Sequence, residues 1–159
     1  HLTWTDERFR PGDATNIELG GCRYRYHTGL SRTIVVGTPE ERLANIAPVV
    51  TEGMEIALDT ARAGVTCEEV ERVFRATTTA KGVLKPSRIG YAIGNGWTEG
   101  WASLAPGDKT VLEPNMTFHL MIGFWYEDWG YVCSEVFRIT DDGPPETFST
   151  MERKLFVNA

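Results

Sequence analysis

The sequence predicts an α+β fold in which two helices cover one side of a curved antiparallel sheet. The first observation behind this class is the order of the elements: two extended segments, two segments of helical period, then three extended segments. The second is that one long late strand separates its apolar from its other side chains, as a sheet with one covered face requires. The 159 residues are 42% hydrophobic and 24% charged, which suffices for one domain with a core.

The opening strands are predicted at residues 16–26 and 30–37, joined by a turn at 28–29. Successive side chains of a strand point to opposite faces. Glu18 therefore lies on the face opposite Ile17. This places a carboxylate on the side of the first strand that faces away from its apolar residues.

Two helices are predicted next. The first begins with Thr38 as N-cap and Glu41 three residues later, the pattern of a capping box, and its apolar residues recur at helical spacing up to Gly64. Pro48 lacks an N–H group, so it should bend this helix, which we keep as one element. The second helix has a similar capping box and covers 66–82.

Three further strands are predicted at 88–93, 116–126 and 131–140. In the second of these, alternation gathers the apolar residues on the face that the helices should cover: Phe118, Leu120, Ile122 and Phe124. His119 lies on the other face. In the third strand, Glu135 shares its face with apolar neighbours, where a carboxylate is unfavourable unless it is paired or used.

Composition excludes several classes of partner. The formal net charge is −6 and basic residues never cluster beyond a pair, so we expect no nucleic-acid partner. No apolar run is long enough to span a bilayer, so we expect no membrane partner. Three widely spaced cysteines form neither a disulfide framework nor a metal knuckle, which favours a reducing, cytoplasmic location.

Two strand carboxylates, Glu18 and Glu135, are the first candidates for chemistry. Lining one cavity, they would supply acid/base or nucleophilic groups. The more common role of such a carboxylate is a structural ion pair with an arginine such as Arg32. His119 is a further candidate, although a lone strand histidine is more often structural. Four tryptophans could wall a site for a cationic ligand, although aromatic residues more often belong to a core or an interface: Trp97, Trp101, Trp125 and Trp129.

Four segments together resemble the creatinase/prolidase/aminopeptidase P superfamily, whose catalytic domain has the pita-bread fold. They are RYHTGLSRT at 25–33, GYAIG at 90–94, EPNMTFH at 113–119, and SE followed by DDG within 134–143. The resemblance is greatest to the bacterial ectoine hydrolases. It implies that residues 1–159 form the C-terminal portion of a pita-bread catalytic domain, within a longer protein that forms a homodimer.

The resemblance also bears on metal binding. Peptidases of this fold hold two metal ions with two Asp, one His and two Glu. The matching positions of this sequence are Glu18, Gly29, Tyr91, Met121 and Glu135. Because Gly, Tyr and Met cannot replace the carboxylate and imidazole ligands of such a centre, we expect no metal and no other cofactor.

The activity that the resemblance implies is metal-free hydrolysis of a C–N bond in a small cationic or zwitterionic amidine, with ectoine opening to N-acetyl-diaminobutyrate. It gives Glu18 the role of nucleophile or base, Glu135 that of holding the cationic N–C–N group, and His1 that of shuttling protons. The candidates for substrate binding are Tyr91, His119, Trp125 and Arg32. Two alternatives stay open: an Xaa-Pro metallopeptidase with substituted ligands, and a non-catalytic peptide-binding module.

Overall fold

The computed structural model of the chain describes residues 6–158, and His1 lies outside this range. The predicted α+β class is confirmed. The elements in chain order are β1 Ala14–Arg23, β2 Tyr26–Val36, α1 Glu41–Thr60, α2 Cys67–Ala80, β3 Gly90–Ala92, β4 Ser103–Leu104, β5 Thr117–Trp125, β6 Gly130–Arg138, β7 Glu146–Thr147 and β8 Phe156–Asn158.

The strands form two sheets, and β2 of one sheet lies next to β6 of the other. One has the order β1-β2-β8, with β2 and β8 parallel, and the other is antiparallel with the order β4-β3-β5-β6-β7. Side chains join the sheets where β2 approaches β6. The backbone N–H of Ser31 donates to Ser134 Oγ at 2.8 Å, and the backbone N–H of Val132 donates to Thr33 Oγ1 at 2.8 Å. These bonds fix β1 and β2 against the centre of the larger sheet.

The first hairpin turns earlier than predicted, at Tyr24 and Arg25, which both have positive φ. Positive φ at both central residues is what a two-residue hairpin turn requires. The predicted turn at 28–29 is wrong because Gly29 lies inside β2. A Cβ on Gly29 would come within 2.8 Å of both His119 and Trp97, so this glycine permits a close approach of side chains rather than a turn.

Helix α1 begins at Glu41 with Glu40 as its N-cap, so the capping box predicted from Thr38 is wrong. The helix continues through Pro48 as one element, as predicted, and ends at Thr60, before the predicted glycine. Neither helix of residues 6–158 is both long and apolar enough to cross a bilayer.

Helix α2 has the predicted N-cap, Thr66, but the side chain of this residue makes no capping hydrogen bond. Backbone carbonyls of the loop between β4 and β5 accept the free N–H groups instead. Cys67 donates to Thr110 O at 2.9 Å, and Glu68 donates to Asp108 O at 2.8 Å. A distant segment of the chain therefore replaces the local cap that the sequence suggested.

The core lies between the helices and one face of the larger sheet. The predicted apolar face of β5 is buried there, and the side chains that it packs with include Met54 of α1 and Phe74 of α2. Tyr131, Cys133 and Phe137 of β6 lie on the same face. The opposite face of β5 and β6 is therefore the one that carries the polar side chains described next.

Candidate active site

Five polar side chains, one from each of five strands, converge on the face of the sheets opposite the helices. We call them the polar cluster: Glu18, Ser31, Tyr91, His119 and Ser134. Glu18 and Ser31 are cross-strand partners of β1 and β2, and Ser31 Oγ donates to Glu18 Oε1 at 3.4 Å. Strand pairing therefore holds the carboxylate beside a hydroxyl.

His119 links two further members of the cluster. Its Nδ1 lies 3.1 Å from the hydroxyl of Tyr91, and its Nε2 lies 2.8 Å from Ser134 Oγ. Ser134 Oγ also accepts the backbone N–H of Ser31. His119 and Ser134 have no solvent exposure, so these bonds are shielded from competition with water.

Burial fixes the charge of these groups. It lowers the pKa of His119 to about 4, so the imidazole is neutral at pH 7, with one ring nitrogen donating and the other accepting. Burial also raises the pKa of Tyr91, and the negative charge of Glu18 adds to this effect. The phenol therefore stays protonated, and the bonds from Tyr91 through His119 to Ser134 connect neutral groups.

Trp97 closes one side of the cluster. Its ring meets the ring of His119 edge-on, with centroids 5.7 Å apart and planes at 87°. The same ring approaches Gly29 and Gly20, at distances that leave no room for a larger side chain at position 29. An aromatic ring thus occupies the space beside Gly29.

Two adjoining cavities open next to the cluster. The first, which we call the Glu18 cleft, has a volume of about 320 Å³ and is lined by Asn16, Ile17, Glu18, Ser31, Met121, Trp125 and Val132. The second, which we call the Lys85 cavity, has about 160 Å³ and includes Tyr91 and Lys85 in its lining. Met121 and Trp125 belong to both linings, and Trp125 is 64% exposed, so it stands at the common edge.

Glu135 does not belong to this site. It is fully buried on the helix side of β6, where its Oε1 lies 2.5 Å from Arg32 Nη2 and its Oε2 lies 3.6 Å from Arg153 Nη1. Burial raises the pKa of this carboxyl, and the hydrogen bond from Arg32 opposes the rise. The prediction that Glu18 and Glu135 line one cavity is wrong, because adjacent residues of β6 point to opposite faces and Ser134 faces the cluster.

Arg32 is also corrected as a substrate-binding candidate. It is 4% exposed and donates to the carboxylate of Glu135 and to the backbone carbonyls of Ser134, Met151 and Glu152. This is the structural ion pair that the sequence left open as the alternative. Its geometry secures the segment before β8 against β2 and β6.

The other predicted site residues are brought together. Tyr91 and His119 lie in the polar cluster with Glu18, and Trp125 lines both cavities. The sequence analysis named Trp97 among the tryptophans that could wall a site, and it missed Ser134. Alternation along β6 identifies Ser134 once Glu135 is assigned to the apolar face.

Comparison with known proteins agrees with this architecture. Residues 1–142 match the model of metallopeptidase family M24. An uncharacterized hydrolase/peptidase of Sinorhizobium fredii is 46% identical over 99% of the chain, and an ectoine hydrolase of Halomonas elongata is 38% identical over 99%. An Xaa-Pro dipeptidase of Pyrococcus horikoshii is 29% identical over 98%. These alignments cover 40%, 40% and 44% of the three relatives.

Solved structures show the same fold. Dipeptidase PepE of Mycobacterium ulcerans superposes with a TM-score of 0.91 at 23% identity, covering 99% of this chain and 43% of the dipeptidase. The N-terminal domain of a FACT complex subunit from chickpea superposes with a TM-score of 0.89 at 12% identity, over 99% and 41% of the two chains.

The fold is that of part of a pita-bread domain. The chain belongs to metallopeptidase family M24 and spans about 40% of the length of the curated relatives it matches.

The family implies a metal centre, and the residues here do not fit one. Glu18 is the one carboxylate among the described residues that line its cleft, and the ring of Trp97 fills the space beside Gly29. Tyr91 is hydrogen-bonded to His119, and Met121 offers only a thioether. Within residues 6–158, no three side chains of the His, Cys, Asp or Glu types gather in a way that would bind an ion. A two-metal centre needs bridging carboxylates that this donor set lacks.

Proposed function

We propose that the protein to which this chain belongs hydrolyses a C–N bond in a small cyclic amidine such as ectoine, without a metal ion. The observation that carries this proposal is Glu18 at the wall of a small cleft, within a family M24 site that lacks the ligands of a metal centre. The 38% identity with an ectoine hydrolase supports the choice of substrate class.

The chemistry follows from the charge of the substrate. The carbon of an amidinium group is electrophilic, and Glu18 either attacks it directly or removes a proton from a water molecule that attacks it. Addition gives a tetrahedral carbon, and cleavage of one of its C–N bonds opens the ring. The released nitrogen takes up a proton. On the direct route, a water molecule then hydrolyses the bond between the substrate carbon and Glu18 and releases the amide. On either route one water molecule is consumed and ectoine gives N-acetyl-diaminobutyrate.

The other residues of the cleft hold the substrate. The face of Trp125 at the edge of the Glu18 cleft suits a delocalised cation. Tyr91 lines the adjoining Lys85 cavity, and because it and its hydrogen-bonded partner His119 are neutral, the pair adds no positive charge that would repel the amidinium. A cleft of about 320 Å³ is at the lower end of the usual size for small-molecule sites.

We extend the proposal to the organisation of the protein. The chain forms the C-terminal portion of a pita-bread catalytic domain, in a cytoplasmic protein that assembles as a homodimer. Proton shuttling by His1 remains a prediction, because that residue lies outside the described range.

Peptide-bond hydrolysis is the second candidate. The 29% identity with an Xaa-Pro dipeptidase favours it, and the donor set around Glu18 opposes it. A non-catalytic module is the third possibility retained from the sequence, and the polar cluster with its adjoining cleft argues for chemistry instead.

The direct test is a substrate panel with the full-length protein. Ectoine, creatine and an Xaa-Pro dipeptide are incubated separately, and products are identified by mass spectrometry and proton NMR. We expect ectoine to give N-acetyl-diaminobutyrate and the other two substrates to persist. Cleavage of the dipeptide with ectoine left intact would contradict the proposal in favour of the peptidase.

A further inference from the structure

Lys85 is a buried cation that no part of the proposed reaction has yet used. It is 3% exposed, and its ammonium donates to Gly123 O at 2.7 Å and to Ser87 Oγ at 2.8 Å. Both partners are neutral, and a protonated ammonium has three N–H donors. Within residues 6–158, Lys85 forms no ion pair with a carboxylate.

The charges around Lys85 are positive. Arg75 of α2 donates to the backbone carbonyl of Lys85 and forms an ion pair with Glu71, so the carboxylate of α2 in this region is already engaged. The guanidinium of Arg88 lies over the ring of Tyr91, 4.7 Å from its centroid. From β5, Gly123 and Phe124 present a carbonyl and an aromatic ring rather than a charge. Burial, and secondarily Arg75, lowers the pKa of Lys85 to about 8.

The cavity beside Lys85 adjoins the Glu18 cleft and shares two of its lining residues. Ser87, Arg88 and Tyr91 join Lys85 in lining it, and its other walls include Met121 and Trp125, which also line the Glu18 cleft. The Lys85 cavity is therefore lined by basic groups, and the adjoining Glu18 cleft is lined by a carboxylate.

A buried cation that lacks a counter-ion is unfavourable, and an anion entering the cavity would relieve this cost. We propose that the Lys85 cavity binds the carboxylate of a zwitterionic substrate while Glu18 meets its cationic end. Lys85 supplies a charge-assisted hydrogen bond, and Ser87 and Arg88 complete the polar wall. This inference rests on the proposed amidine chemistry and adds the residues that select a substrate carrying a carboxylate.

The first test compares two substrates in the full-length protein. Ectoine carries a carboxylate, and 2-methyl-1,4,5,6-tetrahydropyrimidine is the same ring without it. Lys85→Met keeps the aliphatic stem and removes the charge, so we expect KM for ectoine to rise by about 10- to 100-fold. The KM of the decarboxylated ring should stay within about twofold, since Glu18 and Trp125 still meet its cation.

Two variants complete this test. Lys81→Met removes an exposed lysine that pairs with Glu52 outside both cavities, and it should change neither KM. Ser87→Ala alters an exposed residue that accepts a hydrogen bond from Lys85. It should raise KM for ectoine selectively, by less than Lys85→Met does. If Lys85→Met does not fold, the two substrates are compared with Ser87→Ala instead. Equal losses for the two substrates, or no loss for ectoine, would overturn the carboxylate subsite.

The second test does not depend on turnover. In full-length protein labelled with ¹³C at lysine Cε, the Lys85 signal is assigned from the Lys85→Arg spectrum and followed during titration with sodium acetate or, at equal ionic strength, sodium chloride. Acetate should shift the signal saturably and raise the pKa of Lys85, because a bound anion favours the charged ammonium. Chloride should not.

The outcomes separate the two proposals. Saturable acetate binding without turnover of any amidine contradicts the proposed function and supports the anion subsite. If acetate and chloride shift the Lys85 signal identically, and if Lys85→Met changes KM equally for ectoine and for the ring without the carboxylate, the subsite is overturned. The proposed amidine hydrolysis would be unaffected by that result.

Discussion

Glu18 is the residue on which the proposed chemistry depends. Among the described residues that line its cleft it is the one carboxylate, and β1 holds it beside Ser31 by strand pairing. Glu18→Gln keeps the shape of the side chain and removes its charge and its basic oxygen. We expect kcat for ectoine to fall by about 10² to 10⁴, with a smaller change in the Kd of the substrate.

The measurement is kcat and Kd for this variant in the full-length protein. Glu113→Gln, which changes an exposed glutamate away from both cavities, is the matched control and should retain kcat. A kcat of Glu18→Gln close to that of the unaltered protein would move the chemistry to another residue.

Glu135 provides the opposite case, a carboxylate whose effect is on stability. Glu135→Gln removes the charge that compensates the buried Arg32 guanidinium, and breaking a buried ion pair from one side destabilises by about 3 to 5 kcal/mol. Urea unfolding of the full-length protein should show this loss, with kcat per folded molecule nearly unchanged. A large fall in kcat at unchanged stability would restore the substrate-holding role that the sequence suggested.

The burial of His119 should make the free energy of unfolding depend on pH. Burial disfavours the imidazolium and lowers the pKa of His119 in the folded protein from its usual 6.5 to about 4. The unfolded chain therefore takes up a proton before the folded chain does. The stabilisation from neutral His119 is complete above pH 6.5 and is lost as the pH falls towards 4, by about 1.4 kcal/mol per pH unit.

Comparing His119→Gln with the unaltered protein isolates this contribution. The free energy of unfolding of the variant should fall less steeply between pH 6.5 and pH 4, although it is lower at pH 7 through the lost hydrogen bonds. Parallel profiles for the two proteins would show that His119 titrates normally in the fold.

At the scale of the elements, β2 depends on a glycine in its interior. Gly29→Ala would place a methyl group within 2.8 Å of His119 and of the Trp97 ring. We expect a destabilisation of about 1 to 3 kcal/mol, with a displaced Trp97. The midpoint of urea unfolding and tryptophan fluorescence report these two effects.

Gly64→Ala is a comparison rather than a matched control, because it has open space around its Cβ but a positive φ, so its cost is one of backbone strain alone. An unchanged tryptophan spectrum in Gly29→Ala would contradict the close approach at β2.

The elements also show how far the sequence could be interpreted. Alternation identified the buried face of β5, because burial selects one side of a strand. The first turn was misplaced because glycine is common in turns, whereas Gly29 lies within β2 and leaves room for the side chains of His119 and Trp97. The resemblance placed a site role on Glu135, whereas the apolar residues two positions away on either side already assigned it to the core face.

The contacts that build the site are the part that the sequence could not supply. His119 meets Tyr91 across β3 and β5 and meets Ser134 across β5 and β6, and Trp97 reaches them from outside the strands. The contact with Tyr91 and the approach of Trp97 bring together segments that are more than 20 residues apart in the chain, whereas the contact with Ser134 follows from the β5–β6 hairpin. The Lys85 cavity has the same origin, since Lys85 reaches Gly123 of β5.

At the scale of the whole molecule, the fold is that of a metallopeptidase family and the donor set around Glu18 is not that of a metal centre. The central claim is therefore that the full-length protein opens an amidine ring without a metal. The most direct test is the kcat/KM for ectoine after exhaustive chelation, measured together with the metal content by mass spectrometry. We expect kcat/KM to be unchanged and the content of Zn, Mn and Co to be far below one ion per chain. Stoichiometric metal, with activity lost on chelation and restored by its return, would contradict it.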